Sequence, residues 1–401
     1  MFDRLLYCLI VVASPLLALP SGGEVVQGCA TLLTSSDALQ INATGQAIIH
    51  WNQFNIAPQE TVHFLQADRG GILNRVTSGT ASEILGRLQA NCPIYLINPN
   101  GIFIGTNALI DTAGFLASTA DLSNEAFWQG AEMPFQNFGE GRIVNLGTIR
   151  ASQGDVFLIA RGIENQGRIE APNGAVVLAT HEVMVRPDTK ECVFIRVDET
   201  EEAGIHNSGT IQALSVELKT RSPYEKAICH TGVIEAFATV EQNGRIYLVA
   251  EEGGAVVDGT LVAEAGEVRV LGQKVRIEEC AAIDVSGPSG GTALIGGDYQ
   301  GSNPEILNAQ ETLIAPGAQI HADARSDGNG GKVVIWSDEA TFYYGKISAR
   351  GGAFGGDGGF VEVSGKYLDF DGLADTLAPC GRAGELLLDP INITISAAAN
   401  S

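Results

Sequence analysis

Basic residues are scarce in this sequence. Lys and Arg number 24 against 47 Asp and Glu in 401 residues, a formal net charge of −23. That balance excludes a general nucleic-acid binder, whose affinity for phosphate rests on Lys and Arg, and it leaves no polybasic attraction to anionic lipid. Long apolar runs are missing beyond the first 20 residues, so no later segment reads as a bilayer-spanning helix. No CxxC pair occurs, which removes the usual zinc and dithiol redox motifs. HExxH, a Walker loop and a dinucleotide fingerprint are also absent, and with them the chemistry those motifs carry. A disordered acidic tail is excluded too, because 45% of the chain is hydrophobic and only 18% is charged.

What the chain has in excess is glycine, 49 residues. They follow no collagen period. Set among Val, Ile and Leu, they indicate short strands separated by tight turns. The chain opens with Arg4, the apolar run 5–13, Ser14-Pro15 and a second short run to Ala18. This is the pattern of a secretory signal peptide over residues 1–18, cleaved near Ala18-Leu19. A membrane span is the weaker alternative, because it needs ~20 apolar residues and Pro15 interrupts this run. The mature chain is expected to be exported and soluble. Export makes disulfides permissible among Cys29, Cys92, Cys192, Cys229, Cys280 and Cys380. Cys29 with Cys92 is the first candidate pair, since both fall in one compact region; six free, buried thiols are the alternative.

An internal repeat decides the fold class. Residues 145–160 (NLGTIRASQGDVFLIA) and 165–180 (NQGRIEAPNGAVVLAT) match at a shift of 20. The matches are Asn145/Asn165, Gly147/Gly167, Ile149/Ile169, Ala151/Ala171, Gly154/Gly174, Val156/Val176 and Leu158/Leu178. They fall on alternate residues, the strand period, with one step of three between Ala151 and Gly154 that a corner requires. The first arm recurs at Asn207–Gly209–Ile211–Ala213, at Gly232–Ile234–Ala236, at Gly259–Leu261–Ala263 and at Gly345–Ile347–Ala349. Insertions separate the copies; residues 181–203 read as a hairpin around Pro187-Asp188. Repeats that cannot bury an apolar face alone do so by stacking. Short strands with glycine corners and no helices between them predict an all-β fold, a right-handed parallel β-helix with an N-terminal cap and extra-helical hairpins. A leucine-rich repeat lacks its LxxLxLxxN signature here, and an ordinary β-sandwich does not predict the 20-residue match.

Residues 19–124 carry more distinctive segments: WNQFNI (51–56), LNRVTSG (73–79), IYLINPNGIFIG (94–105) and GFLAST (114–119). In this order they resemble the N-terminal secretion domain of the two-partner secretion exoproteins, the filamentous haemagglutinin group, and most of all its high-molecular-weight adhesin branch. An NPNL motif found in some haemagglutinin relatives is not present, which fits the adhesin branch. The resemblance divides the chain into a signal peptide (1–18), a secretion-domain core (19–140) and β-helix repeats with insertions (141–401). It implies export to the periplasm, recognition by an outer-membrane β-barrel transporter with POTRA domains, and a secreted or surface adhesin of a Gram-negative-type bacterium, with a host-cell or surface receptor. The chain is short for a complete adhesin of this kind, and its LLLDPINITIS ending reads as an internal boundary.

The candidate recognition or folding residues are Asn98, Pro99, Asn100, Gly101, Asn52, Phe54, Asn55, Asn74 and Arg75. Asn98-Pro99-Asn100-Gly101 is turn chemistry between two apolar strands: Pro99 fixes φ, and Asn100 or Gly101 takes a positive φ. Its direct role reads first as a rigid corner and second as a surface read by a transporter. Asn52, Asn55 and Asn74 read as stacked or capping amides, and Trp51 and Phe54 as core or cap. A secreted β-helix enzyme acting on polysaccharide is the alternative function. Asp284, Asp298, Asp323, Asp327 and Asp357 are its only candidate carboxylates; none pairs in register, and most adjoin glycine as turn residues. No enzyme activity, metal or cofactor is expected. GGAFGGDGG (351–359) misses the calcium-repeat spacing, and the adjacent Cys229 and His230 must point to opposite faces of a strand.

Overall fold

The computed structural model describes residues 19–68, 70–180, 182–185, 193–195, 204–239 and 243–391. The expected signal peptide, Cys192 and the Pro187-Asp188 turn lie outside them. The chain coils through three parallel ladders in a fixed order. The first face runs from Ala38–Ala43 through Thr61–Gln66, Arg87–Ala90 and Leu109–Thr112 to Leu373–Asp375. The second runs from Ala47–Trp51 through Ile72–Val76, Pro93–Ile97 and Gly114–Ser118 to Glu385–Asp389. The third runs from Ser82–Ile84 through Ile102–Ile104 and Ile143–Asn145 to Tyr367–Phe370. This is a parallel β-helix. Its ladders pass residue 140 without a break, since Ile102–Ile104 pairs with Ile143–Asn145.

The 20-residue match is the physical register. Asn145 lies beside Asn165, Ile149 beside Ile169, and Leu158 beside Leu178. Later copies stack likewise, with Ile169 beside Ile211 and Ile211 beside Ile234. Inward Ile149, Ile169, Ile211 and Ile234 are fully buried, each contributing roughly 1.5–3 kcal/mol on burial. The corner glycines are demanded by the stack. A Cβ on Gly167 would lie 2.1 Å from the Gly147 carbonyl oxygen, and one on Gly209 2.1 Å from that of Gly167.

The open N-terminal edges are closed by antiparallel strands. Glu24–Gln27 pairs with Ala47–Trp51, and Ala30–Thr34 with Ala38–Ala43. Such a cover removes unpaired edges that would template aggregation. Trp51 and Phe54 belong to the interior rather than to this cover: both are 1% exposed and meet edge-to-face with centroids 5.6 Å apart. The expected Cys29–Cys92 disulfide is not formed. Cys29 is exposed beside the cover, whereas Cys92 belongs to the coil interior, where burial pushes its thiol up to about 12.

The extra-helical elements build a second core. Val183–Val185 pairs antiparallel with Val193–Ile195, the two arms of the expected hairpin, and also with Met133–Phe135. Met133, Phe135, Val183 and Val185 of this sheet and Phe127 of the helix Asn124–Gln129 belong to a cluster that includes Ile48, Leu73, Ile97, Leu116, Ile159 and Val177, the outward residues of the second face. That explains why strands there are apolar at consecutive positions: both faces are buried.

One polar column runs through the interior. Asn145 Nδ2 donates to Asn165 Oδ1 at 2.7 Å, and Asn165 Nδ2 to Asn207 Oδ1 at 2.6 Å. Asn207 Nδ2 lies 2.9 Å from His230 Nδ1, and His230 Nε2 lies 3.2 Å from the Thr260 carbonyl. At the base, Asn145 Oδ1 accepts from the Gly147 N–H at 3.2 Å. Every member is satisfied if His230 is neutral with its proton on Nε2. Burial accordingly holds this imidazole below its ordinary value of 6.5.

Two outcomes follow. Asn165→Ala strands the Asn145 donor and the Asn207 acceptor and should lower stability by about 2–4 kcal/mol in urea unfolding. Because the folded pKa of His230 is depressed, the unfolded chain takes the proton first. The column's contribution is therefore full above the ordinary value of 6.5 and is lost as the pH falls below it. His230→Gln should flatten that part of the stability–pH curve, read by denaturant midpoints between about pH 5 and 7.

Candidate functional site

Seven of the nine candidate residues, Asn52, Phe54, Asn55 and 98–101, lie at one corner of successive coils, where the chain passes from the second face to the third, and Asn74 and Arg75 lie on the strand Ile72–Val76 that leads into it. Asn98 is fully buried there. Its Nδ2 donates to the Thr80 carbonyl and to Ser82 Oγ, each at 3.0 Å. Its Oδ1 accepts from the Asn100 N–H at 3.0 Å, and its carbonyl accepts from the Gly101 N–H at 3.1 Å. These bonds superpose an Asx turn on a β-turn. Gly101, with φ of 111°, is the residue in the positive region; Asn100 is not. Asn100 is exposed, and its Nδ2 donates to the Ser78 carbonyl at 2.8 Å. The next coil lies directly above: Gly141 N–H donates to the Pro99 carbonyl at 3.0 Å, and a Cβ on Gly139 would stand 1.9 Å from that oxygen.

One coil earlier, Asn74 is buried, and its Oδ1 accepts from Trp51 Nε1 at 3.0 Å. Its Nδ2 reaches the Ile72 and Tyr95 carbonyls at 3.2 and 3.3 Å. It is a stacked internal amide. Asn55 caps: its Oδ1 accepts from the Glu83 N–H at 2.9 Å. Asn52 is exposed, and its N–H donates to the Ser21 carbonyl at 3.0 Å, tying the corner to the N-terminal cover. Phe54 completes the core beside Trp51.

Strand alternation sends Arg75 outward, where it clamps the extra-helical segment. Nε donates to Asp121 Oδ1 at 3.0 Å, Nη1 to Asn124 Oδ1 at 2.8 Å, and Nη2 to the Leu122 carbonyl. Nη1 also lies 2.9 Å from His50 Nε2. Burial first, and the Arg75 charge next, hold the His50 imidazole below its ordinary value, so a neutral ring accepts from the guanidinium. Sequence reasoning did not reach His50, Asp121, Asn124 or the Ser78–Ser82 carbonyl and hydroxyl acceptors. The signal available was positional: residues 78–82 follow an apolar run just as 52–55 and 98–101 do.

The carboxylates weighed for polysaccharide chemistry serve the corners. Asp284 caps Ser286, Asp298 pairs with Lys332 at 2.7 Å, Asp323 accepts from the Arg350 N–H, and Asp357 pairs with Arg382 at 2.7 Å. Asp327 bridges to Gly355 in backbone pairing. Residues 287–291 (GPSGG) have the spacing of a nucleophile elbow, but they form a corner between strands with no helix following. Among the described residues, no group of three or more His, Cys, Asp or Glu is placed to hold a metal, and no helix is long and apolar enough to cross a membrane. Cys229 and His230 do point to opposite faces, His230 fully inward.

Comparison with known proteins places this geometry. The family profile described as "TPS secretion domain" matches residues 19–257. A heme/hemopexin-binding protein of Haemophilus influenzae is 31% identical over 252 residues, covering 58% of this chain and 27% of that protein. A second protein of that name and species is 40% identical over 106 residues, covering 26% of this chain and 11% of its own length. The chain thus spans about a quarter or less of these relatives. The crystal structure of the HMW1 secretion domain from Haemophilus influenzae superposes with a TM-score of 0.79 at 32% identity, covering 91% of this chain and 100% of that one.

Loss of the Arg75 clamp should free the segment without unwinding the coil. For Arg75→Ala we expect hydrogen exchange around residues 121–130 to accelerate by the equivalent of about 2–4 kcal/mol. Amides of the inward ladders should keep their protection.

Proposed function

This chain belongs to the TPS secretion domain family, and we propose that the second-to-third corner of its first coils is the surface that a cognate outer-membrane transporter reads. The observation that carries this reading is convergence. Segments 52–55, 78–83 and 98–101, separate in sequence, stack at this corner, tied by Asn55 to Glu83 and by Asn98 to Thr80 and Ser82, with Asn74 and Arg75 on the strand that leads into it. The two-partner secretion route accounts for the rest. A leader at residues 1–18 takes the chain to the periplasm of a Gram-negative-type bacterium. POTRA domains of a β-barrel transporter engage the corner, and the chain crosses unfolded and coils outside. Coil-to-coil contacts join residues about one repeat apart, so folding can begin at the first emerged coils and propagate. The delivered product acts as a secreted or surface adhesin toward a host-cell or surface receptor. The names of its curated relatives make heme and hemopexin the first ligands to test.

The turn 98–101 acts in this scheme by making the corner rigid. Asn98→Ala removes four side-chain hydrogen bonds, its Nδ2 to Thr80 and Ser82 and its Oδ1 from the Asn100 N–H and Nδ2, and should leave most of the protein in the periplasm of cells that carry the transporter. Asn100→Ala, which alters an exposed side chain, should retain most delivery. Fractionation of both variants checks this. Full surface delivery of Asn98→Ala would remove the corner from the mechanism.

A further inference from the structure

Two coils beyond that corner, the outer side of the third face holds a cavity of about 440 Å³. Its origin is legible in the register. Outward positions 142, 162 and 204 are stacked in one column, since Ile143 pairs with Ile163 and Gly162 with Gly204. Gly162 and Gly204 contribute no side chains, so the column sinks to bare backbone between Arg142 and Lys226. A Cβ on Gly162 would stand 2.9 Å from Arg142 Nε, so the guanidinium stem lies across this floor. The neighbouring outward column supplies Glu164 and His206, adjacent in register. Tyr224, 43% exposed, forms a wall.

The charges are unusual for this molecule. In a chain of net charge −23, Arg142 and Lys226 converge, beside the His206 imidazole, with one carboxylate among the described residues, Glu164. Among the described residues Arg142 and Lys226 form no ion pair, whereas thirteen other cations do. A planar guanidinium and an ammonium over a concave floor suit a carboxylate. Glu164 would repel a compact polyanion but accept hydroxyl donors, and a tyrosine face suits the apolar side of a sugar ring.

We propose that this cavity binds a carboxylated monosaccharide of the uronic acid type, its carboxylate on Arg142 and Lys226 and its hydroxyls toward Glu164 and His206. The site goes beyond the secretion reading and does not depend on it.

The test is titration of the full chain with D-glucuronate, D-glucose and inorganic phosphate at low salt, by calorimetry and by amide shifts. Glucuronate should bind and shift amides at residues 162–164 and 204–206. Arg142→Gln and Lys226→Met should each weaken it about tenfold or more. Glu164→Gln should weaken glucuronate while strengthening phosphate. Unchanged denaturant midpoints would show that the variants remain folded. Glucose binding as tightly as glucuronate, or phosphate binding with the same dependence on Arg142 and Lys226, would overturn the proposal. So would glucuronate binding that appears only after Asp198, Glu199, Glu201 and Glu202, which precede the floor in sequence, are neutralised; the chain's own carboxylates would then be the occupant.

Discussion

In-register parallel stacking is the constraint on which the rest of this molecule depends. Each coil takes its height and its inward set from the coil beneath it. A residue type that suits one coil therefore suits its neighbours, and the chain repeats chemistry in columns. Isoleucine columns fill the interior, glycine columns turn the corners because the carbonyl below leaves no room for a Cβ, and asparagine columns carry hydrogen bonds along the axis. A buried amide is costly alone but satisfied in a column, because each carbonyl oxygen meets the amide of the next coil.

The same constraint decides where variation is tolerated. Insertions cannot enter a ladder without breaking it, so they leave at corners. Residues 119–141, 180–203 and 296–310 all leave between the second face and the third. From the first two, Leu122, Phe127, Met133, Phe135, Val183 and Val185 pack against the second face and create an apolar core outside the coil. That cover needs a polar anchor, and Arg75 supplies it with four partners around one guanidinium. Corner, clamp and cover are consequences of a single exit point, which is why residues read separately in the sequence come together there.

The coil was legible because its period is local. Alternation plus one step of three revealed strand, corner and shift, and the ladders pair Asn145 with Asn165, Ile149 with Ile169, Val156 with Val176 and Leu158 with Leu178. Names of motifs also located the first coils well. Their roles were less visible. Asn98, read as a turn residue, closes its turn with the Asn100 N–H, while Asn74, read as a stacked or capping amide, has the Trp51 indole as its partner, which no spacing announced. The Cys29–Cys92 pair was suggested because both fall in one compact region, but the coil interior takes one and the surface the other. Arg75 could be placed outward by alternation, while its partners at 121–124 could not, because they belong to an insertion without a period.

The interior column shows why such limits are physical. Asparagine recurs at 145, 165 and 207, and then the pattern stops in the sequence. In space it continues for one more coil, because a neutral imidazole offers an acceptor at Nδ1 to the amide below and a donor at Nε2 to a carbonyl above. The next position in the ladder is Val257, and the position before Asn145 is Ile104. A histidine is therefore the residue that lets a polar column end against an apolar one with nothing unsatisfied. The identity of the residue changes at that point while the hydrogen-bonding requirement does not, and a search for repeated letters loses the column where the chemistry continues.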